Sequence, residues 1–208
     1  MLLAVNYLHR KKIIHRDIKP ENFIINTNGY LKLIGFNVSK DLGISDRTMT
    51  LVGTPHYIAP EALVGKGYGY SVDIWAIGVT MYEMFYGTYP YGPTATNPMD
   101  VYRIIMDKSV ILFPSENNHV DINSLFKMIL AKNINQRLIN FNHIKAHPFF
   151  KKFEFDQLLD FSIQPPHIPD NLFQNNKDPI TMLKNKNKQL KEFLIVVIIN
   201  IGISTSSS

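Results

Sequence analysis

The stretch His15-Arg16-Asp17-Ile18-Lys19-Pro20-Glu21-Asn22 concentrates side chains that can do chemistry. Asp17 is a carboxylate able to take a proton from a hydroxyl. Lys19, two residues on, can steady negative charge on a phosphate, and Asn22 offers a carboxamide oxygen to a hard cation. Proton acceptance, anion stabilisation and cation ligation are what phosphoryl transfer asks of a protein, because that reaction needs positioning and charge neutralisation more than covalent help. A second string, Gly53-Thr54-Pro55-His56-Tyr57-Ile58-Ala59-Pro60-Glu61, follows a long irregular stretch.

Loop residues act only where elements hold them. Leu2, Leu3, Val5, Tyr7 and Leu8 have helical spacing and predict a helix running into the first string, with no capping signal before it. Residues 23–26 and 31–34 predict two short strands, joined through Thr27-Asn28-Gly29, a strong hairpin signal. Residues 35–61 read as a long irregular segment, and loops of that length inside a domain are usually functional. Ser71 is the expected cap of a helix over 72–86 that is apolar nearly all round, belongs in the middle of a core and stops at Gly87. Asn97-Pro98 predicts a capped helix through 106, Ile122, Leu125, Phe126, Ile129 and Leu130 share one helical face, and a last helix is expected over 140–146, before Pro148.

The chain has 208 residues, 45% hydrophobic and 19% charged, which is a globular balance with enough length for a core. The absence of Cys excludes disulfides, thiolate metal sites and cysteine nucleophiles. A net charge of +5 without a basic stripe interleaved with aromatics argues against nucleic-acid binding. The apolar run over 193–203 is short of the roughly 20 residues a membrane span requires. With no leader signal at Met1-Leu2-Leu3-Ala4-Val5, the expectation is a cytoplasmic protein. From about 151 the texture changes: Pro165-Pro166 and Pro169 predict an extended strap, and residues 174–192 are rich in Asn and Lys.

The first string has the pattern of a protein kinase catalytic loop, and Ala59-Pro60-Glu61 is the triplet that closes a kinase activation segment. Over residues 1–153 the chain resembles the large lobe of a eukaryotic serine/threonine protein kinase. Arg47-Thr48-Met49-Thr50-Leu51-Val52-Gly53-Thr54-Pro55 and the strap from Phe155 to Pro169 are similar to the cyclic-AMP- and cyclic-GMP-dependent group. The resemblance implies an α+β fold, a mainly helical large lobe with a short β-hairpin, its catalytic loop at 15–22 and its activation segment at 35–61. Residues 154–208 form the tail, expected to be partly extended or disordered. It implies catalytic roles for Asp17, Lys19 and Thr54, a magnesium ligand in Asn22, and nucleotide contacts from Lys19, Asn22 and Ile24. Thr50 matches the phosphosite, with Arg16 to bind its phosphate. Glu61 and Arg137 match an ion pair pinning the activation segment, and Asp73 matches a carboxylate bracing the catalytic loop. Glu21 and Glu83 match positions that bind an arginine two residues before the phosphoacceptor, while His56 stands where the group usually has Glu. The implied cofactors are ATP and Mg²⁺, and the implied partner is a basic protein or peptide substrate.

The pattern breaks where a kinase should read Asp-Phe-Gly, because the chain reads Gly35-Phe36-Asn37. Gly35 removes the metal-chelating carboxylate, Phe36 keeps the packing residue, and Asn37 occupies a position where unusual backbone angles are expected. The 208 residues also hold no glycine-rich loop, strand lysine or partner glutamate, so the expectation is a large lobe without its small lobe, with a separate small lobe or regulatory domain as a partner. Binding of ATP and Mg²⁺ by this chain is therefore expected to be weak or absent. Three readings follow: a serine/threonine kinase with impaired transfer, a pseudokinase or partner-binding module, or a truncated gene product.

Overall fold

A computed structural model describes residues 1–107, 111, 113 and 119–169. The expectations for 174–192 and 193–203 lie outside the described residues. Helix α1 (Leu2–Arg10) buries Leu2, Val5 and Leu8 and leads into a two-residue strand β1 (Ile13–Ile14). After a 3₁₀ turn at Pro20–Asn22 come β2 (Phe23–Ile25) and β3 (Leu31–Leu33), an antiparallel hairpin in register Phe23–Leu33 and Ile25–Leu31. Its loop is tied at both ends, Asn26 N–H to Tyr30 O at 2.8 Å and Gly29 N–H to Asn26 O at 2.8 Å. The expected hairpin is present.

The segment expected to be irregular contains one small surprise. Strand β4 (Lys40–Asp41) pairs antiparallel with β1, so the residues after Gly35 are stitched to the approach of the catalytic loop. Two-residue strands carry too little periodicity to be seen in sequence. Short 3₁₀ turns at Phe36–Val38 and Pro55–Tyr57 and a bridge between Thr48 and Tyr68 shape the rest.

The helices that follow are α2 (Pro60–Leu63), α3 (Ser71–Tyr86), α4 (Pro98–Met106), α5 (Val120–Ile129), α6 (Phe141–Lys145) and α7 (Phe155–Leu159). From Ser71 through Tyr82 every residue of α3 is buried, as its all-round apolar sequence requires, and Gly87 ends the helix. Helix α5 packs against it through Ile122, Leu125, Phe126 and Ile129. Asn97 and Asn140 cap α4 and α6, each accepting a backbone N–H of the first turn. Ser71 does not cap α3. It lies inside the helix, and its hydroxyl donates to Glu61 at 2.7 Å instead. Beyond α7 the chain is extended and crosses the hairpin loop, where the Tyr30 hydroxyl donates to Ile163 O at 2.5 Å. Among the described residues no helix is long and apolar enough to cross a membrane.

Candidate active site

The site is built outward from Asp73, fully buried in the first turn of α3. One of its oxygens accepts the His15 N–H at 2.9 Å and the other the Arg16 N–H at 2.8 Å. His9, from α1, contributes Nε2 at 2.8 Å; since a carboxylate only accepts, that nitrogen carries the proton. These bonds hold Arg16 at φ 70, a left-handed conformation that costs free energy unless its surroundings enforce it. The side chain of His15 is locked as well: Nε2 donates to Ile34 O at 3.0 Å and Nδ1 accepts the Asp17 N–H at 3.3 Å.

With its backbone fixed, the loop presents Asp17. The Thr54 hydroxyl donates to Asp17 Oδ1 at 2.8 Å, Asn22 Nδ2 to Oδ2 at 2.9 Å, and Lys19 Nζ lies 3.1 Å from Oδ2. Lys19 also donates to the Thr54 hydroxyl at 2.7 Å, closing a triangle. Partial burial by itself would raise the Asp17 pKa. The donors Thr54, Lys19 and Asn22, with the Lys19 charge, outweigh it and hold the carboxyl below its ordinary 3.8. Asp17 is thus an ionised, oriented acceptor. Gly53, next to Thr54, has φ 114 and lies so close to the loop that a Cβ would meet Arg16 O at 2.6 Å. Glycine is what lets the second string touch the first.

The metal side of the site is different. Asn22 Nδ2 also donates to Asp17 O at 2.6 Å, and the carboxamide occupies the space where a Cβ on Gly35 would stand. Gly35 sits at φ 82, while Asn37 needs no unusual backbone; the left-handed residue is two positions earlier than expected. Phe36 keeps an edge-on contact with His15, ring centroids 5.0 Å apart, but remains 47% exposed. Among the described residues no three His, Asp or Glu side chains gather to hold a metal ion. The donors beside Asn22 do not fit magnesium: its one oxygen has no neighbouring carboxylate but Asp17, which three side chains already engage. Ile24 is half-buried in β2.

Farther along, Glu61 and Arg137 form a bidentate pair at 2.5 and 2.8 Å. Arg137 also donates to Ala131 O at 2.9 Å, and its guanidinium lies 4.9 Å from the Trp75 ring. Glu83 is half-buried and accepts the Tyr57 hydroxyl. Burial first, then the Glu83 hydrogen bond and charge, push the Tyr57 pKa far up, so the phenol stays a donor. The exposed Glu21 acts on Tyr57 and Tyr89 too, so both glutamates share one neighbourhood, roofed by His56 stacked on Tyr89 at 4.0 Å. Arg16 does not reach Thr50. Its Nη1 lies 3.5 Å from the Thr48 hydroxyl, which Lys40 Nζ also approaches at 3.2 Å. Sequence reasoning missed His9, Lys40, Thr48 and Ser71; each acts through a partner at least 8 residues away, and only Ser71 carried a local signal, for the wrong role.

A helical lobe with a hairpin, a braced His-Arg-Asp loop and an activation segment latched by a buried ion pair define a protein kinase large lobe. The model of the protein kinase domain matches residues 1–150, and the chain belongs to that family. Within the family it resembles the cyclic-nucleotide-dependent serine/threonine kinases. It is 40% identical over 172 residues to a cGMP-dependent protein kinase of Plasmodium berghei (strain Anka), covering 81% of this chain and 20% of the relative. It is 36% identical to a cAMP-dependent protein kinase catalytic subunit of Arthrobotrys oligospora, covering 80% and 32%. It is 37% identical to the human cAMP-dependent protein kinase catalytic subunit PRKX, covering 81% and 47%. The chain therefore spans between about a fifth and a half of the length of these relatives.

Proposed function

We propose that this chain is the large lobe of a serine/threonine protein kinase of the cyclic-nucleotide-dependent type, with phosphoryl transfer impaired at the metal side of the site. The family reaction moves the ATP γ-phosphate to a serine or threonine hydroxyl, with Mg²⁺ neutralising charge. On this reading Asp17 receives the hydroxyl proton, and Lys19 and Thr54 keep it ionised and aimed. Glu21 and Glu83 face a basic residue of the peptide, and Thr50 is a phosphoacceptor. Asp73, Glu61 and Arg137 are positioning residues. Lys19, Asn22 and Ile24 would face the nucleotide, supplied with a separate small lobe, and a regulatory domain would be a further partner. A cytoplasmic location goes with this reading.

Impaired transfer is supported by the Asn22–Gly35 contact: the carboxamide fills the place of the missing ligand while the triangle of Asp17, Lys19 and Thr54 stays whole. The test is transfer from Mg-ATP to an arginine-rich serine peptide by the purified chain. Losing a single preorganised charge stabiliser commonly costs about a hundredfold or more, and a rate at least that far below a relative that has the aspartate is expected. Turnover at the relative's rate overturns the reading. The same contact favours a second reading, a non-catalytic module that keeps the fold to bind a protein. Capture of a stoichiometric partner without ATP separates it from the first.

A further inference from the structure

The kinase motifs leave one strongly apolar stretch of the chain unused: Phe193-Leu194-Ile195-Val196-Val197-Ile198-Ile199-Asn200-Ile201-Gly202-Ile203, in which Asn200 is the only polar side chain. It is too short to cross a membrane, which takes about 20 residues. The described residues hold a surface of matching character. Where the hairpin loop, α3, α7 and the strap come together beside the start of α1, they border an open trough of about 330 Å³. Buried Met81, Met84, Phe149 and Phe150 form its floor, and Leu159 and Phe161, 61% and 66% exposed, stand at its rim. Of its lining side chains only Tyr30 carries a nitrogen or oxygen, and that hydroxyl already donates to Ile163 O at 2.5 Å. The trough thus has no group left to recognise a polar ligand, and its occupant must be apolar.

We propose that this trough is the docking site of the chain's own segment 193–203. The strap brings the chain to that place, because Pro165 and Pro166 themselves line the trough. Residues 167–192 then link Pro166 to Phe193. At about 3.3 Å per extended residue, that link reaches well beyond a site that begins where the link does. Size agrees as well. An apolar cavity of about 150 Å³ holds one benzene-sized group, so the trough has room for roughly two side chains of Val or Ile size. Seating them removes their surface from water and covers Leu159 and Phe161, a gain proportional to the apolar area buried. A second copy of the chain carries the same run and is the competing occupant. A tethered segment, however, meets its site at an effective concentration in the mM range, which a free partner at about µM does not match.

The test is photo-cross-linking in the full chain. The photoreactive residue p-benzoylphenylalanine is encoded in place of Phe161 at the rim or, as a control, in place of Tyr7, which is 61% exposed on α1 and does not line the trough. Irradiation of the Phe161 variant is expected to give an intrachain cross-link that mass spectrometry maps to 193–203. Its yield should stay the same between about 1 and about 10 µM chain, as an intramolecular contact requires. Val197→Asp combined with Ile198→Asp should lower that yield at least about tenfold, because a carboxylate is costly to bury where nothing can pair with it. Cross-links that join two copies, with a yield rising with concentration, overturn the proposal in favour of association. Absence of any cross-link to 193–203 overturns it too, as does an equal yield from position 7. No readout involves phosphate transfer, so the outcome is separate from that of the proposed function.

Discussion

The Asn22 carboxamide fills the space that a side chain at Gly35 would need, so the departure from Asp-Phe-Gly is a packed arrangement and more than a deleted ligand. Restoring the aspartate has a cost: Gly35→Asp puts a side chain at φ 82 and pushes Asn22 off Asp17. Strained positions of this kind cost about 1–3 kcal/mol, and urea unfolding of the variant should show a loss in that range. A midpoint equal to that of the parent would mean the carboxamide has room to turn. Transfer is expected to improve only when the variant is joined to a small lobe. His147 gives a second residue-scale prediction. It is buried, with Nδ1 accepting the Phe149 N–H at 3.3 Å. Burial lowers its pKa below 6.5, against a smaller opposing pull from Asp121. The folded state therefore favours neutral imidazole, while the unfolded chain takes up a proton near 6.5. Its contribution is complete above that pH and declines as the pH falls through and below it. Thermal midpoints measured from about pH 7.5 to about pH 5.5 should drop, and less steeply in His147→Asn, which keeps an acceptor for Phe149.

Elements are joined at this site by few but costly contacts. Arg137 has a fully buried side chain, and Glu61 ties it to α2 while Ser71 ties Glu61 to α3. Buried ion pairs are poor sources of net stability, yet breaking one strands a charge. Glu61→Ala is expected to cost about 3–5 kcal/mol in urea unfolding, a large part of the 5–15 kcal/mol typical of a domain. The double replacement Glu61→Met with Arg137→Leu should recover most of that loss, because it removes the stranded charge as well. A double variant as unstable as the single would assign the pair a net stabilising role. Helices α1, α3, α4, α5 and α6 were legible in sequence because apolar spacing and Asn caps are local signals, whereas the short α2 and α7 (four and five residues) carry too little periodicity to be seen. Strands β1 and β4 were not, since each is two residues long and exists only through the other.

At the scale of the molecule, α3 is the axis and the strap is the outermost layer. The strap rests on the hairpin loop, where Gly29 leaves room for Pro165 and His167 and Tyr30 bonds Ile163. Tyr30→Phe removes one hydrogen bond and should cost about 1 kcal/mol, with faster amide exchange confined to residues 161–164. Exchange that rises across α3 as well would place the strap within the cooperative core. Beside it, Leu3, Phe153, Phe155, Leu159, Phe161 and Ile163 border an open apolar trough of about 330 Å³.

The family, helices α1, α3, α4, α5 and α6, and the hairpin can be read from the chain before any fold is known. Motifs and periodicity are properties of neighbouring residues, so they survive without a fold. Which distant groups meet depends on the packing of the folded chain. It brought His9 to Asp73, gave Ser71 to Glu61 and set Arg16 and Lys40 beside the Thr48 hydroxyl. Such pairings depend on how helices and loops pack across dozens of residues, and no local pattern in the chain encodes them.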